Sequence, residues 1–113
     1  MSGARRALNL LGLAARAGSV LPGTERVREA AREGRLALAL LARDASDNSR
    51  GKLLPLLQAR RIPFVIAFGR AELGGAVGRS PLGAVGITDP DLARQVALLV
   101  EGQESRQSAG RQG

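Results

Sequence analysis

A chain of 113 residues with one continuous pattern of short apolar runs has room for one domain with its own core and not for two. It holds no histidine and no cysteine, which excludes zinc fingers, zinc deaminases, Ser-His-Asp hydrolases and Cys-His proteases, together with any disulfide framework. Seventeen Lys and Arg against ten Asp and Glu leave a formal charge of +7, which points to a polyanion, nucleic acid first.

From Ala4 to Ala17 the polar Arg5, Asn9 and Arg16 share one face while Leu8, Leu11 and Ala15 line another, the spacing of an amphipathic helix closed by Gly18. Basic residues ahead of those leucines superficially suggest an export signal, but Asn9 and Arg16 interrupt the run, so a soluble helix in a cytoplasmic protein is expected. Residues 19–21 are a short strand candidate, and the turn at Pro22-Gly23 delivers Thr24 as a helix N-cap. The helix that follows, 25–33, has a thin apolar side of Val27, Ala30 and Ala31. Its six charged residues must face water or a ligand.

The run LALALLA at 36–42 lacks polar alternation and reads as a strand buried on both faces, at the centre of a sheet. A third helix begins near Asp47 to Ser49, carries Leu53, Leu54 and Leu57 inward as far as Arg60 or Arg61, and bends at Pro55. IPFVIAF at 62–68 is the next strand, with Pro63 at an edge or ahead of the ladder. Ala71 to Val77 makes a short helix with Leu73 and Val77 inward, where Gly74, Gly75 and Gly78 serve capping and close approach to the sheet. GAVGIT at 83–88 is the last strand. Asp89 and Pro90 then start a helix with an inward stripe of Leu92, Val96 and Leu99 that ends at Gly102, and 103–113 is expected to be a disordered tail. The order αβαβαβαβα specifies an α/β class: over 1–102, a three-layer α-β-α sandwich with a central four-stranded mixed sheet flanked by helices.

Within that frame several chemistries are unfavourable. Phe64 and Phe68 are the only aromatics, so single-strand binding on aromatic platforms is a poor match. The Gly-rich pieces at 69–78 and 83–86 hold neither phosphate-cradling motif, and the longest apolar runs fall far short of the roughly 20 residues of a membrane span. Asp44 and Asp47, close together in one loop, read as turn and cap residues and not as a magnesium pair. Sixteen of the seventeen cations are arginine, whose planar fork suits phosphates and base edges; a GC-rich coding bias also favours Arg over Lys, but does not account for the net charge.

Three segments in order, GTERVREAAREG at 23–34, LALLARDASDNSRGKLLPLLQARRIPFV at 38–65 and LGGAVG at 73–78, resemble the ribosomal protein L7Ae/L30e family, most closely its small bacterial YlxQ-like branch. The likeness runs from NLLGLAARAG at 9–18 through ITDPDLA at 87–93, and LPLL followed by a proline at the strand start is a recurrent family feature. The resemblance implies an α-β-α sandwich without catalysis, cofactor or metal. It also implies binding, as a monomer, to kink-turn RNA, a sharply bent duplex element built around tandem sheared G·A pairs, with rRNA or another ribosome-associated RNA as the partner.

In kink-turn binders a Gly-[Thr/Ala]-Asn-Glu-x-x-Lys segment opens the second helix. The resemblance carries it onto Gly23, Thr24, Glu25, Arg26, Val27, Arg28 and Glu29. Glu25 stands where Asn or Lys is common, Arg26 where Glu or Gln reads guanine edges, and Glu29 where a cation usually meets the backbone. It further implies Ser46 and Arg50 near a flipped nucleotide, Arg70 beside them, and Arg79 on the loop at 79–82 that covers the extruded base. Arg26, Arg28, Arg70 and Arg79 would form one basic edge. The departures at Glu25, Arg26 and Glu29 leave open a second reading: a protein-interaction or assembly module of the ribosome or transcription machinery with only general RNA affinity.

Overall fold

The computed structural model describes residues 2–101 with their side chains and, as backbone alone, the last helix to Gln112; of the segment expected at 103–113 to be a disordered tail, the side chains and residue 113 lie outside the described residues. Helices and strands alternate: α1 (Gly3–Arg16), β1 (Val20–Pro22), α2 (Thr24–Arg32), β2 (Leu38–Leu41), α3 (Asp47–Ala59), β3 (Phe64–Ile66), α4 (Arg70–Ala76), β4 (Ala84–Ile87) and α5 (Pro90–Gln112). The sheet order is β1-β4-β2-β3. β4 is antiparallel to both β1 and β2, with Val20 opposite Ile87 and Ala39 opposite Gly86, while β2 and β3 are parallel with Ala39 opposite Phe64. The sheet is therefore mixed, and β1, β2 and β3 all run the same way.

All four residues of β2 are buried. Alternation along the strand sends Leu38 and Leu40 to one face, where they meet Leu11, Leu73, Val96 and Val100 of α1, α4 and α5. Ala39 and Leu41 point to the other, against Val27, Ala30 and Ala31 of α2 and Leu53 and Leu57 of α3. Each fully buried leucine contributes about 1.5–3 kcal/mol relative to exposure, so this unalternated run joins the two halves of the core. β3 is an edge strand and Pro63 lies just ahead of it, and the Pro63 carbonyl accepts a bond from the Ala39 N–H at 3.1 Å. Pro55 sits within α3, where it has no N–H for the Gly51 carbonyl.

The helix starts follow the chemistry of their caps. Asp89 Oδ1 accepts from the N–H groups of Asp91 at 2.9 Å and Leu92 at 3.4 Å, and Ser46 Oγ accepts from the Ser49 N–H at 3.1 Å. Two expectations change. Thr24 is not the N-cap of α2: Gly23 takes that position at φ 101°, a conformation glycine adopts readily, and Thr24 becomes the first helical residue. Gly74 does not ease an approach to the sheet; a Cβ there would lie 2.1 Å from the Ser80 carbonyl oxygen, so its role is to admit the loop that follows α4.

Candidate nucleic-acid interface

Because β1, β2 and β3 point the same way, the N-termini of α2, α3 and α4 emerge at one edge of the sheet, joined there by the loop at 77–83 that leads into the oppositely directed β4. This edge holds Gly23–Glu29, Ser46, Arg50, Arg70 and Arg79, residues drawn from segments up to 56 positions apart in sequence.

Short contacts join these segments. Thr24 Oγ1 and Ser49 Oγ share a hydrogen bond of 2.9 Å between α2 and α3. Gly83 packs against both, since a Cβ there would lie 3.2 Å from Ser49 Oγ and 3.5 Å from Thr24 Oγ1, and Leu82 lies beside Gly23. Asp44 Oδ1 accepts from the Arg70 N–H at 2.8 Å, and Asp44 Oδ2 lies 3.6 Å from Arg70 Nε. The backbone bond from Arg70 holds the Asp44 carboxyl below its ordinary range, with the Arg70 charge adding to the effect. The loop at 79–82 is tied to α4 by Arg79 N–H to the Gly74 carbonyl at 2.7 Å and Leu82 N–H to the Arg70 carbonyl at 3.1 Å.

The three helix ends differ in one respect that matters for an anion. At α3 a first-turn N–H is capped by Ser46, and at α4 one is capped by Asp44. The cap residue is glycine at both α2 and α4, but at α2 no side chain accepts from the first-turn N–H groups. Free N–H groups and the positive end of the helix dipole are thus presented at Thr24, Glu25 and Arg26.

The charges around that end are distributed unevenly. Glu25 pairs with Lys52 Nζ at 2.6 Å and with Arg28 at 3.8 Å. The Lys52 hydrogen bond, and then its charge, hold the Glu25 carboxyl below the usual range. The apparent misfit of an acid at this position is therefore offset from α3 by the chain's one lysine. Along the exposed stripe of α2, Glu25, Arg28, Glu29 and Arg32 line a shallow groove and cancel in formal charge. Arg70 is offset by Asp44, so the positive excess of the edge resides in Lys52 and in the exposed Arg26 and Arg79.

Ser46 and Arg50 of the expected site are likewise engaged within the fold. Ser46 Oγ is occupied as the α3 cap. The Arg50 guanidinium donates to the carbonyls of Arg43 and, at 3.3 Å, Ala45, so it buttresses the β2–α3 loop. The edge also contains Ser49, Lys52 and Leu82, which sequence reasoning does not single out. Lys52 alone carries a signal, as a single lysine among arginines. The other two become visible only through contacts between segments.

The family model for the Ribosomal protein L7Ae/L30e/S12e/Gadd45 family matches residues 5–97. RNA-binding protein YlxQ of Enterococcus faecium is 32% identical over 98 residues, covering 87% of this chain and 94% of the relative. RNA-binding protein YlxQ of Bacillus subtilis (strain 168) is 34% identical over 92 residues, covering 81% and 92%. Among solved structures, a Bacillus halodurans C protein of unknown function superposes with a TM-score of 0.79 at 36% identity, over 84% of this chain and 96% of the other. The Giardia lamblia 15.5kD RNA binding protein superposes with a TM-score of 0.70 at 25% identity, over 87% and 84%. The chain belongs to the Ribosomal protein L7Ae/L30e/S12e/Gadd45 family.

Proposed function

We propose that the protein is a non-enzymatic RNA-binding protein that takes sharply bent, structured RNA of the kink-turn type, in rRNA or a ribosome-associated RNA, on the edge formed by α2, α3, α4 and the loop at 77–83. The observation that carries this reading is the uncapped N-terminus of α2 on the edge that also carries Arg26, Arg70 and Arg79. Its free N–H groups suit backbone phosphate or an acceptor on a base edge, and the arginines add charge and forked donors. The names of the YlxQ relatives and of the Giardia protein support RNA as the ligand class. The pairing of Glu25 with Lys52 supports a site that tolerates an acid at the helix start.

A gel shift tests this with a kink-turn hairpin and a control in which the G·A pairs are converted to Watson–Crick pairs. The expected result is clear preference for the kink-turn, and equal affinity for both RNAs would refute the specific claim. Exposed Glu29, with no ion-pair partner among the described residues, favours the second reading, a protein-assembly surface with general RNA affinity. Partners that persist in a pull-down from RNase-treated lysate would support it.

A further inference from the structure

We infer that the groove between α1 and α4 is a second RNA-backbone track, which takes one duplex arm leaving the edge just described. The inference rests on the RNA-binding reading and adds to it a path for the nucleic acid. The groove encloses about 530 Å³ and is lined chiefly by Arg5, Asn9, Leu13 and Arg16 of α1 and by Glu72 and Gly75 of α4. Two of its lining residues, Ala71 and Glu72, directly follow Arg70 at the start of α4, so the groove adjoins the proposed RNA edge.

On α1, positions 5, 9 and 16 fall on one stripe at 3.6 residues per turn. Arg5 and Arg16 are about 16 Å apart along the axis, with Asn9 between them. Both arginines are exposed and form no ion pair among the described residues. The acid that lines the groove, Glu72, has one carboxylate oxygen accepting from the Gly69 N–H at 2.8 Å, which draws it to the start of α4. The floor is low because Ala71 and Gly75 face it, and a Cβ on Gly75 would meet no atom within 4 Å. Leu13, 58% exposed, offers an apolar shoulder for ribose. Unpaired cations and an amide aligned on a shallow channel adjoining an RNA edge match a phosphodiester backbone. An acidic protein segment is the competing occupant.

The test uses the full chain and kink-turn hairpins whose two arms are, in turn, clipped near the bend or left long, with Kd measured across a salt series. Clipping one of the arms is expected to weaken wild-type binding about tenfold and to make the salt slope shallower by about 1.4–1.8, the change that follows when two phosphates are no longer neutralised. Arg5→Ala with Arg16→Ala should reproduce that loss on the long-arm RNA and leave the clipped RNA unaffected. Gly75→Glu, which places a carboxylate in the open groove, should do the same. Arg94→Ala removes a charge at the opposite end of the sheet, beside Pro63 and Pro90, and serves as the unaffected control. Equal losses on long and clipped RNA, or no loss on either, overturn the track; the second result leaves the groove to an acidic protein segment. If Arg79→Ala weakens binding while the groove variants do not, the track alone fails. If no RNA binds at all, the functional reading and the track fail together.

Discussion

Gly74 and Gly75 are neighbours on α4, and replacing each with alanine should change stability in opposite directions. At Gly74 the added Cβ would lie 2.1 Å from the Ser80 carbonyl oxygen, 2.7 Å from its carbonyl carbon and 2.9 Å from the Arg79 carbonyl oxygen. These are backbone atoms of a loop held by the Arg79–Gly74 and Leu82–Arg70 hydrogen bonds, so relief requires the loop to move. Overpacking of this kind costs about 1–3 kcal/mol, and breaking one of the loop bonds adds about 1 kcal/mol; the helix-propensity gain of up to about 1 kcal/mol offsets part of that. A net loss of about 1–3 kcal/mol is expected. At Gly75 the same methyl group meets open space, and only the propensity effect remains, a gain of about 0.5–1 kcal/mol. Urea unfolding of both variants measures the difference. Gly74→Ala should also weaken binding to the clipped-arm kink-turn RNA, because Arg79 moves with the loop, whereas Gly75→Ala should leave clipped-arm binding unchanged. Equal stability of the two variants would refute the claim that the loop is seated on the bare backbone of α4.

Arg70→Ala or Arg79→Ala is expected to reduce the salt slope of RNA binding by about 0.7–0.9 for each phosphate that the arginine neutralises, and unchanged slopes in both would place the RNA elsewhere. Ser46→Ala, which removes the α3 cap, should cost about 1 kcal/mol in chemical denaturation while leaving the salt slope intact; a shallower slope would return Ser46 to the RNA site. Thr24→Val removes the bond to Ser49 and should cost about 1 kcal/mol, with a null effect refuting its part in joining α2 to α3. The Asp44 and Glu25 carboxyls are both held below their ordinary values in the fold, so their stabilising contribution is complete at neutral pH and down to about pH 5, and is lost as pH falls through the depressed values. In an acid titration of unfolding, Asp44→Asn with Glu25→Gln should flatten that loss, and an unaltered acid limb would show that neither pair contributes.

The element order is legible in the sequence because each signal is local. Leu38–Leu41 reads as doubly buried from its lack of alternation, Asp89-Pro90 as a helix start from one cap and one fixed φ, and Pro63 as lying at an edge or ahead of the ladder from its missing donor. Thr24 reads as a cap because threonine has the right side chain for one, yet Gly23 occupies the position at a φ that favours glycine. Arg50 is placed near a flipped nucleotide by the family resemblance because a free arginine and one bound to nearby carbonyls look the same in a sequence.

By itself, then, the sequence determined what short-range chemistry determines: the order of helices and strands, the faces they bury, the excess of positive charge, and segments that resemble an RNA-binding family. Tertiary structure decided how those charges combine. The common direction of β1, β2 and β3 brings three helix ends to one edge, and contacts across 25 to 27 positions set Thr24 on Ser49 and Lys52 on Glu25. The same packing left α2 alone of the three ends without a side-chain cap. Electrostatics at an edge depend on distances of a few ångströms between groups far apart in the chain, and only the folded backbone sets those distances.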